Sequence, residues 1–217
     1  MPGNTREGPS NPLSTLHAIS EERPGGTPAF MEAHVLKALE LLGSGEGLGR
    51  QQLARTIRLG EGTVRTLIRR MREQDLLETS RGGMKLTAKG ERLVIALKEY
   101  LVSTAFPETT LTVGRENFAV MVRSAGGEVR KGIEERDAAL IAGAEGATTF
   151  VYTDGRLLMP GFNTEIDALT KVQLMGLLEP EEGDVIIVGS DEDTFRAEFG
   201  AKSAALKLLE RALGQER

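Results

Sequence analysis

Hydrophobic residues first fall into step at AFMEAHVLKALELLGSG, where Phe30, Val35, Leu36, Leu39 and Leu42 recur at helical spacing until Gly43 stops the run. A second helix is predicted over GRQQLARTIRL, with Leu53, Ala54 and Ile57 inward. It stops at LGEG, which reads as a helix end followed by a tight turn. A third helix follows over TVRTLIRRMREQ. Its apolar face is Val64, Leu67, Ile68 and Met71, and its polar face carries Arg65, Thr66, Arg69, Arg70 and Arg72. LLETSR and MKLT then read as two short strands joined at Gly82 and Gly83. A fourth helix is expected over TAKGERLVIALKEYLVSTAF, with Leu93, Ala96, Leu97, Tyr100 and Leu101 on one side, and Pro107 breaks it.

Beyond Leu111 the pattern alternates. LTVGRENFAVMVRSA is strand-like in its centre, with Phe118, Val120 and Val122 on one side, and GIEERDAALIAGA reads as a helix. ATTFVYTDGRLLMPG reads as two strands around Asp154 and Gly155, and EIDALTKVQLMGLL as a helix. GDVIIVGS is a continuous apolar run, as in a strand buried on both faces, and a long helix closes the chain. Its Ala197, Ala201, Ala204, Ala205, Leu208 and Ala212 form a stripe suited to core packing. The fold class expected is α+β: an N-terminal winged helix–turn–helix domain over 29–105, then a mixed α/β effector and dimerisation domain over 106–217. Residues 1–28 are rich in Pro, Gly, Ser and charge and read as a disordered tail. His17 falls there and reads as a solvated side chain, whereas His34 reads as a packing or surface residue of the first helix.

Composition narrows the chemistry. With no cysteine, the chain has no disulfide, thiolate zinc site, iron–sulfur cluster or cysteine nucleophile. Two histidines so placed make no His-rich metal site, and neither a metal nor a cofactor is expected. Aromatic residues are only 4% of the chain, too few for a base-stacking RNA surface. No apolar run approaches the roughly 20 residues that span a bilayer, and the first residues lack the order of a secretory signal. The expectation is a cytoplasmic protein with no membrane partner.

Charge is segregated. Residues 46–99 hold twelve basic and seven acidic side chains, a net +5, which leaves −10 for the rest of a chain whose net charge is −5. One part is therefore suited to meet a polyanion and the other is not. In such a domain the third helix lies in the major groove, and Thr63, Arg65, Thr66 and Arg69 are the outward candidates for base edges. Arg70 and Arg72 are assigned to phosphates, Arg81 and Lys85 flank the tip of the hairpin, and Arg50 and Gln51 open the second helix towards the backbone of the duplex.

EGTVRTLIRRMREQDLLETSRGGMKLTAKG also resembles the recognition helix and wing of many bacterial and archaeal winged-helix regulators. The matching phrase is Leu76, Leu77 and Glu78, then Gly82 and Gly83, then Leu86, Thr87 and Gly90, and the resemblance runs from Phe30 to Tyr100. The second half resembles the C-terminal α/β domain of an uncharacterised archaeal family of winged-helix regulators, of the DUF4443 type. The residues that carry this are Arg136 and Asp137, the run from Gly143 to Thr149, and Gly183 with Asp184 before the apolar strand. The resemblance implies a transcriptional regulator without a defined ligand.

In AGAEGATT a helix end passes into a small-residue loop, where Gly143, Gly146 and Ala147 let a ligand approach the backbone. Thr148 and Thr149 offer hydroxyls there, and Arg136, beside Asp137, an anion partner. A structural ion pair and a plain helix cap account for the same residues. Asp191, Glu192 and Asp193 read as an exposed, helix-capping acidic loop. No glycine-rich nucleotide motif is present. The function expected is a sequence-specific, homodimeric transcriptional regulator that binds double-stranded DNA, is not an enzyme, and answers to a small-molecule effector in its C-terminal domain. Two alternatives stand beside it. One is an enzyme or metabolite-binding domain with a DNA-binding appendage, using Arg136, Asp137 and Asp184. The other is a winged helix that binds proteins.

Overall fold

A computed structural model describes residues 11–21, 29–45, 47–80, 82–162 and 164–214. The chain divides into two compact units, residues 1–97 and 98–217.

The N-terminal unit opens with a helix that the sequence reading did not expect. Pro12–Ser20 forms α1, capped by the Asn11 carboxamide, which accepts from the Leu13 amide, with Pro12 in the first turn where its missing N–H costs nothing. Leu13, Leu16 and Ile19 recur on one face and are buried. Burial of each contributes about 2 kcal/mol. The expected disordered tail is thereby corrected for residues 12–20, and residues 1–10 and 22–28 lie outside the described set. His17 is not simply solvated either: its Nδ1 is 2.6 Å from Glu32 and its Nε2 2.8 Å from Glu21. Burial alone would lower its pKa, but the hydrogen bonds and charge of the two carboxylates prevail and raise it.

Glu32–Gly43 is α2, and Arg50–Thr56 and Glu61–Glu73 are α3 and α4. His34 Nδ1 accepts from the Met31 amide at the start of α2, and burial pushes its pKa down to about 4. Val64, Leu67 and Met71 bury the apolar side of α4. The turn between α3 and α4 differs from the expectation. Its left-handed residue is Arg58 (φ 52°), while Gly60 is the extended cap of α4 and Gly62 lies inside the helix. Leu77–Ser80 (β1) and Gly83–Leu86 (β2) make the wing, and Leu48 adds a bridge to Met84.

Ala88–Lys98 is α5, and Gly90 explains its approach. A Cβ there would lie 2.2 Å from the Leu76 carbonyl oxygen, so only glycine lets the helix start this close. The Thr87 hydroxyl accepts from the Gly90 amide and donates to the Asp75 carbonyl at 2.6 Å. The Leu-Thr-x-x-Gly phrase is thus a hinge pin between wing and helix.

The fourth helix is shorter than expected. It ends at Lys98, and Leu101–Phe106 is a strand, β3, so the compact units part before Lys98 and not near Ala105. Helical and alternating periods overlap over so short a run, and the β-branched Val102 and Thr104 favour the strand.

In the C-terminal unit Glu116–Val122 (β4), Gly146–Thr153 (β5), Arg156–Met159 (β6), Thr164–Glu165 (β7) and Val185–Asp191 (β8) complete a six-stranded sheet. Its order is β3-β4-β8-β5-β6-β7 and every neighbouring pair is antiparallel. Helices α6 (Ile133–Ile141) and α8 (Thr194–Ala212) pack on the sheet. A separate apolar core joins Ala119, Met121, Phe150, Ile186 and Val188 to Leu174 and Leu178 of α7 (Ala168–Leu178). Both faces of the central β8 are therefore covered, and all seven of its residues are buried. Gly189 lets α8 lie close, since a Cβ there would sit 2.4 Å from the Ala197 carbonyl oxygen. Asp154 and Gly155 both have positive φ in the β5–β6 turn.

Candidate nucleic-acid interface and effector cavity

The order α2, α3, α4, β1, β2 is that of a winged helix–turn–helix. On α4, Arg65 and Arg72 are exposed, and their side chains make no hydrogen bond or ion pair among the described residues. Arg69 is about half exposed and pairs with Glu73 one turn on, at 2.9 Å. Thr63 and Thr66 are half-buried, and the Thr66 hydroxyl donates to the Gly62 carbonyl. Arg50 and Gln51 stand exposed at the start of α3, and Lys85 is exposed on β2 opposite Glu78. Arg81 lies outside the described residues.

Arg70 is the exception. Its guanidinium donates to the carbonyls of Ile19 at 2.8 Å, Ser20 at 3.3 Å and Glu21 at 2.7 Å, and lies 5.3 Å over the Phe30 ring. Those carbonyls end α1 and have no intrahelical partner. The phosphate role expected of Arg70 is corrected: it caps α1 and holds that helix to α4. Lys89 does the same for α4, its Nζ donating to the Gln74 carbonyl at 2.8 Å. A signal for α1 was present in Asn11-Pro12 followed by Leu13, Leu16 and Ile19, but the surrounding Pro, Gly and Ser concealed it.

In the C-terminal unit the expected ligand residues separate into two groups. Arg136, Thr148 and Thr149 line a cavity of about 420 Å³ with Lys131, Gly132, Ile133, Ala147, Met159, Pro160, Gly161 and Phe162. Asp137 and Gly146 do not line it. Asp137 accepts two hydrogen bonds from Arg136, and Gly146 is packed by Val113. The expected small-residue loop is instead β5, for which Gly143 (φ 99°) supplies the preceding turn. The Thr148 hydroxyl donates to the Leu111 carbonyl at 2.6 Å.

The acidic residues near the end of β8 are internal fastenings. Asp191 is fully buried, paired with Arg196 at 2.7 Å and accepting from the Asp193 amide, whereas an exposed loop was expected. Asp193 caps α8 as expected, accepting from the Arg196 amide. Asp184 accepts from the Ser124 and Glu181 amides and so ties two turns together.

The sequence model of the CggR N-terminal DNA binding domain matches residues 33–101. That of a domain of unknown function, DUF4443, matches residues 113–208. No curated protein matches the chain. Among solved structures, it is similar to a hypothetical protein from Pyrococcus horikoshii OT3, at 26% identity and a TM-score of 0.69 over 84% of this chain and 94% of that one. By its sequence the N-terminal unit is thus a DNA-binding domain, and the C-terminal unit carries the domain of unknown function. Among the described residues no helix is long and apolar enough to cross a membrane.

Proposed function

We propose that the chain is a sequence-specific, cytoplasmic transcriptional regulator that binds double-stranded DNA as a homodimer and has no enzymatic activity. The observation that carries this reading is the outer face of α4. Arg65, Arg69 and Arg72 are exposed beside the wing, in the one basic stretch of an otherwise acidic chain. Arg65 is nearest the start of the helix and is assigned to a base edge. Arg69 is assigned to the next step along the groove, and Arg72, Lys85 and Arg50 to phosphates. The second copy follows from affinity, because one winged helix makes too few specific contacts for a typical operator. Control by a small effector in the C-terminal unit completes the reading.

The test is retention of sheared genomic DNA by the purified chain at about 0.15 M salt, followed by sequencing. A few enriched sites with two-fold symmetry are expected. Uniform retention that disappears as salt rises would replace the reading with non-specific coating. No retention, together with stable capture of one protein partner, would replace it with a protein-binding winged helix.

A further inference from the structure

The cavity of the C-terminal unit has a distinct chemistry at each end. Its inner wall is the first turn of α6, where the N-cap is Gly132 (φ 73°) and no side chain caps the helix. The first amides of a helix lack intrahelical acceptors and carry partial positive charge. Beneath Gly132 lies Thr149. The residue is only 4% exposed, lines the cavity, and its Oγ1 is buried with no hydrogen-bond partner among the described residues. A buried hydroxyl without a partner is uncommon and calls for an explanation. A Cβ at Gly132 would stand 3.3 Å from that oxygen, so glycine lets the start of α6 lie directly against it. Lys131 adds a cation at the rim, and Arg136 a second that it shares with Asp137. Glu135, in the same turn, is neutralised by Arg211 of α8, and Asp137 is held by Arg136. Of the nearby acids, Glu134 is exposed and does not line the cavity.

The other end is apolar. β6 pairs with β5 only at Val151–Thr153, so Ala147, Thr148 and Thr149 present an uncovered strand edge there. Met159, Pro160 and Phe162 wall that opening, and Ile133 faces it from α6. Phe162 is 75% exposed and Ile133 45%, a large apolar area at the rim of a polar floor. A cavity of this volume suits a small metabolite.

We propose that this cavity binds a small organic acid. Its anionic head sits on the α6 amides and the Thr149 hydroxyl, between Lys131 and Arg136, and its apolar body lies against Ile133, Met159 and Phe162. The inference deepens the regulator reading and rests on it only for the consequence that the acid changes DNA affinity. Binding itself is measured without DNA, so the two stand or fall separately.

Octanoate is the probe, titrated into the ¹⁵N-labelled full chain, with acetate and 1-octanol as the two half-ligands. Saturable shifts of the Gly132–Arg136 and Thr149 amides are expected with octanoate. Each half-ligand should bind at least about tenfold more weakly, the factor expected for about 1.4 kcal/mol. Thr149→Val is nearly isosteric and removes only the partnerless hydroxyl. It should weaken octanoate about five- to tenfold while leaving the ligand-free melting temperature unchanged or slightly higher. Lys131→Gln should weaken octanoate but not 1-octanol. Equal binding of octanoate and 1-octanol, absence of shifts at the start of α6, or parental affinity in Thr149→Val would each overturn the proposal.

Discussion

On α4, Arg65 and Arg72 stand in solvent and Arg69 has only an exposed partner, whereas Arg211, Arg196 and Lys202 of the C-terminal unit reach carboxylates withdrawn from water. Arg211 meets Glu135, whose side chain is 1% exposed, and Arg196 meets the fully buried Asp191. Lys202, itself buried, lies 2.5 Å from Glu198 and 5.3 Å over the Phe118 ring. The same residue types thus do opposite work. A buried pair is part of the fold, and removing one member leaves the other charged and unsolvated. An exposed guanidinium contributes little to folding, so it remains available to a polyanion. Arg70 belongs with the first group although it sits among the second.

The contrast can be broken most severely at Arg211→Met. It strands the Glu135 carboxylate between α6 and α8 and should cost about 3–5 kcal/mol, read as a lower denaturant midpoint with DNA affinity per folded molecule unchanged. A loss under 1 kcal/mol would show that the pair is solvated in solution. Next is Arg70→Met, which removes the charged cap from α1 and should cost about 2 kcal/mol locally. Amides of residues 13–20 should exchange faster, while DNA affinity changes less than about twofold. A DNA loss as large as that of Arg65→Ala would return Arg70 to the phosphate role. Arg65→Ala comes third: about 1–3 kcal/mol in operator binding, relaxed preference at one base pair, and no change in melting temperature. Unchanged operator binding would remove α4 from the groove. The smallest effect is the loss of the Arg69–Glu73 pair in Glu73→Gln, within about 0.5 kcal/mol of parental stability. A larger destabilisation would mean that the surface face of α4 is structural after all.

Much of this was legible in the residues. The period of α4, the glycines of the wing and the Thr87–Gly90 phrase each have one local cause, and local causes survive in a sequence. The long apolar run at β8 was legible as burial on both faces. Its antiparallel pairing was not, since neighbours are chosen by the whole sheet. Arg70 was not legible because its partners are main-chain carbonyls some 50 positions away, and carbonyls have no letter in a sequence. The cavity was half legible. Arg136, Thr148 and Thr149 stood out by residue type, but Lys131 and Phe162 join them only through the turn that follows β6. Thr149 and Thr148 also divided once β5 formed: one hydroxyl found the Leu111 carbonyl and the other found nothing.

The position of β3 bears on how the molecule is cut for experiments. It is the outer neighbour of β4, paired from Leu101↔Val122 to Phe106↔Asn117. A C-terminal fragment that starts at 106 would leave β4 as a bare edge of seven residues, with Ala119, Val120, Met121 and Val122 in a row. Such an edge recruits other chains, so that fragment should precipitate or form strand-swapped oligomers. One starting at Lys98 keeps its guard strand and should stay monodisperse or adopt its native assembly. The same cut spares the N-terminal unit, whose last helix gives up only its final residue, Lys98.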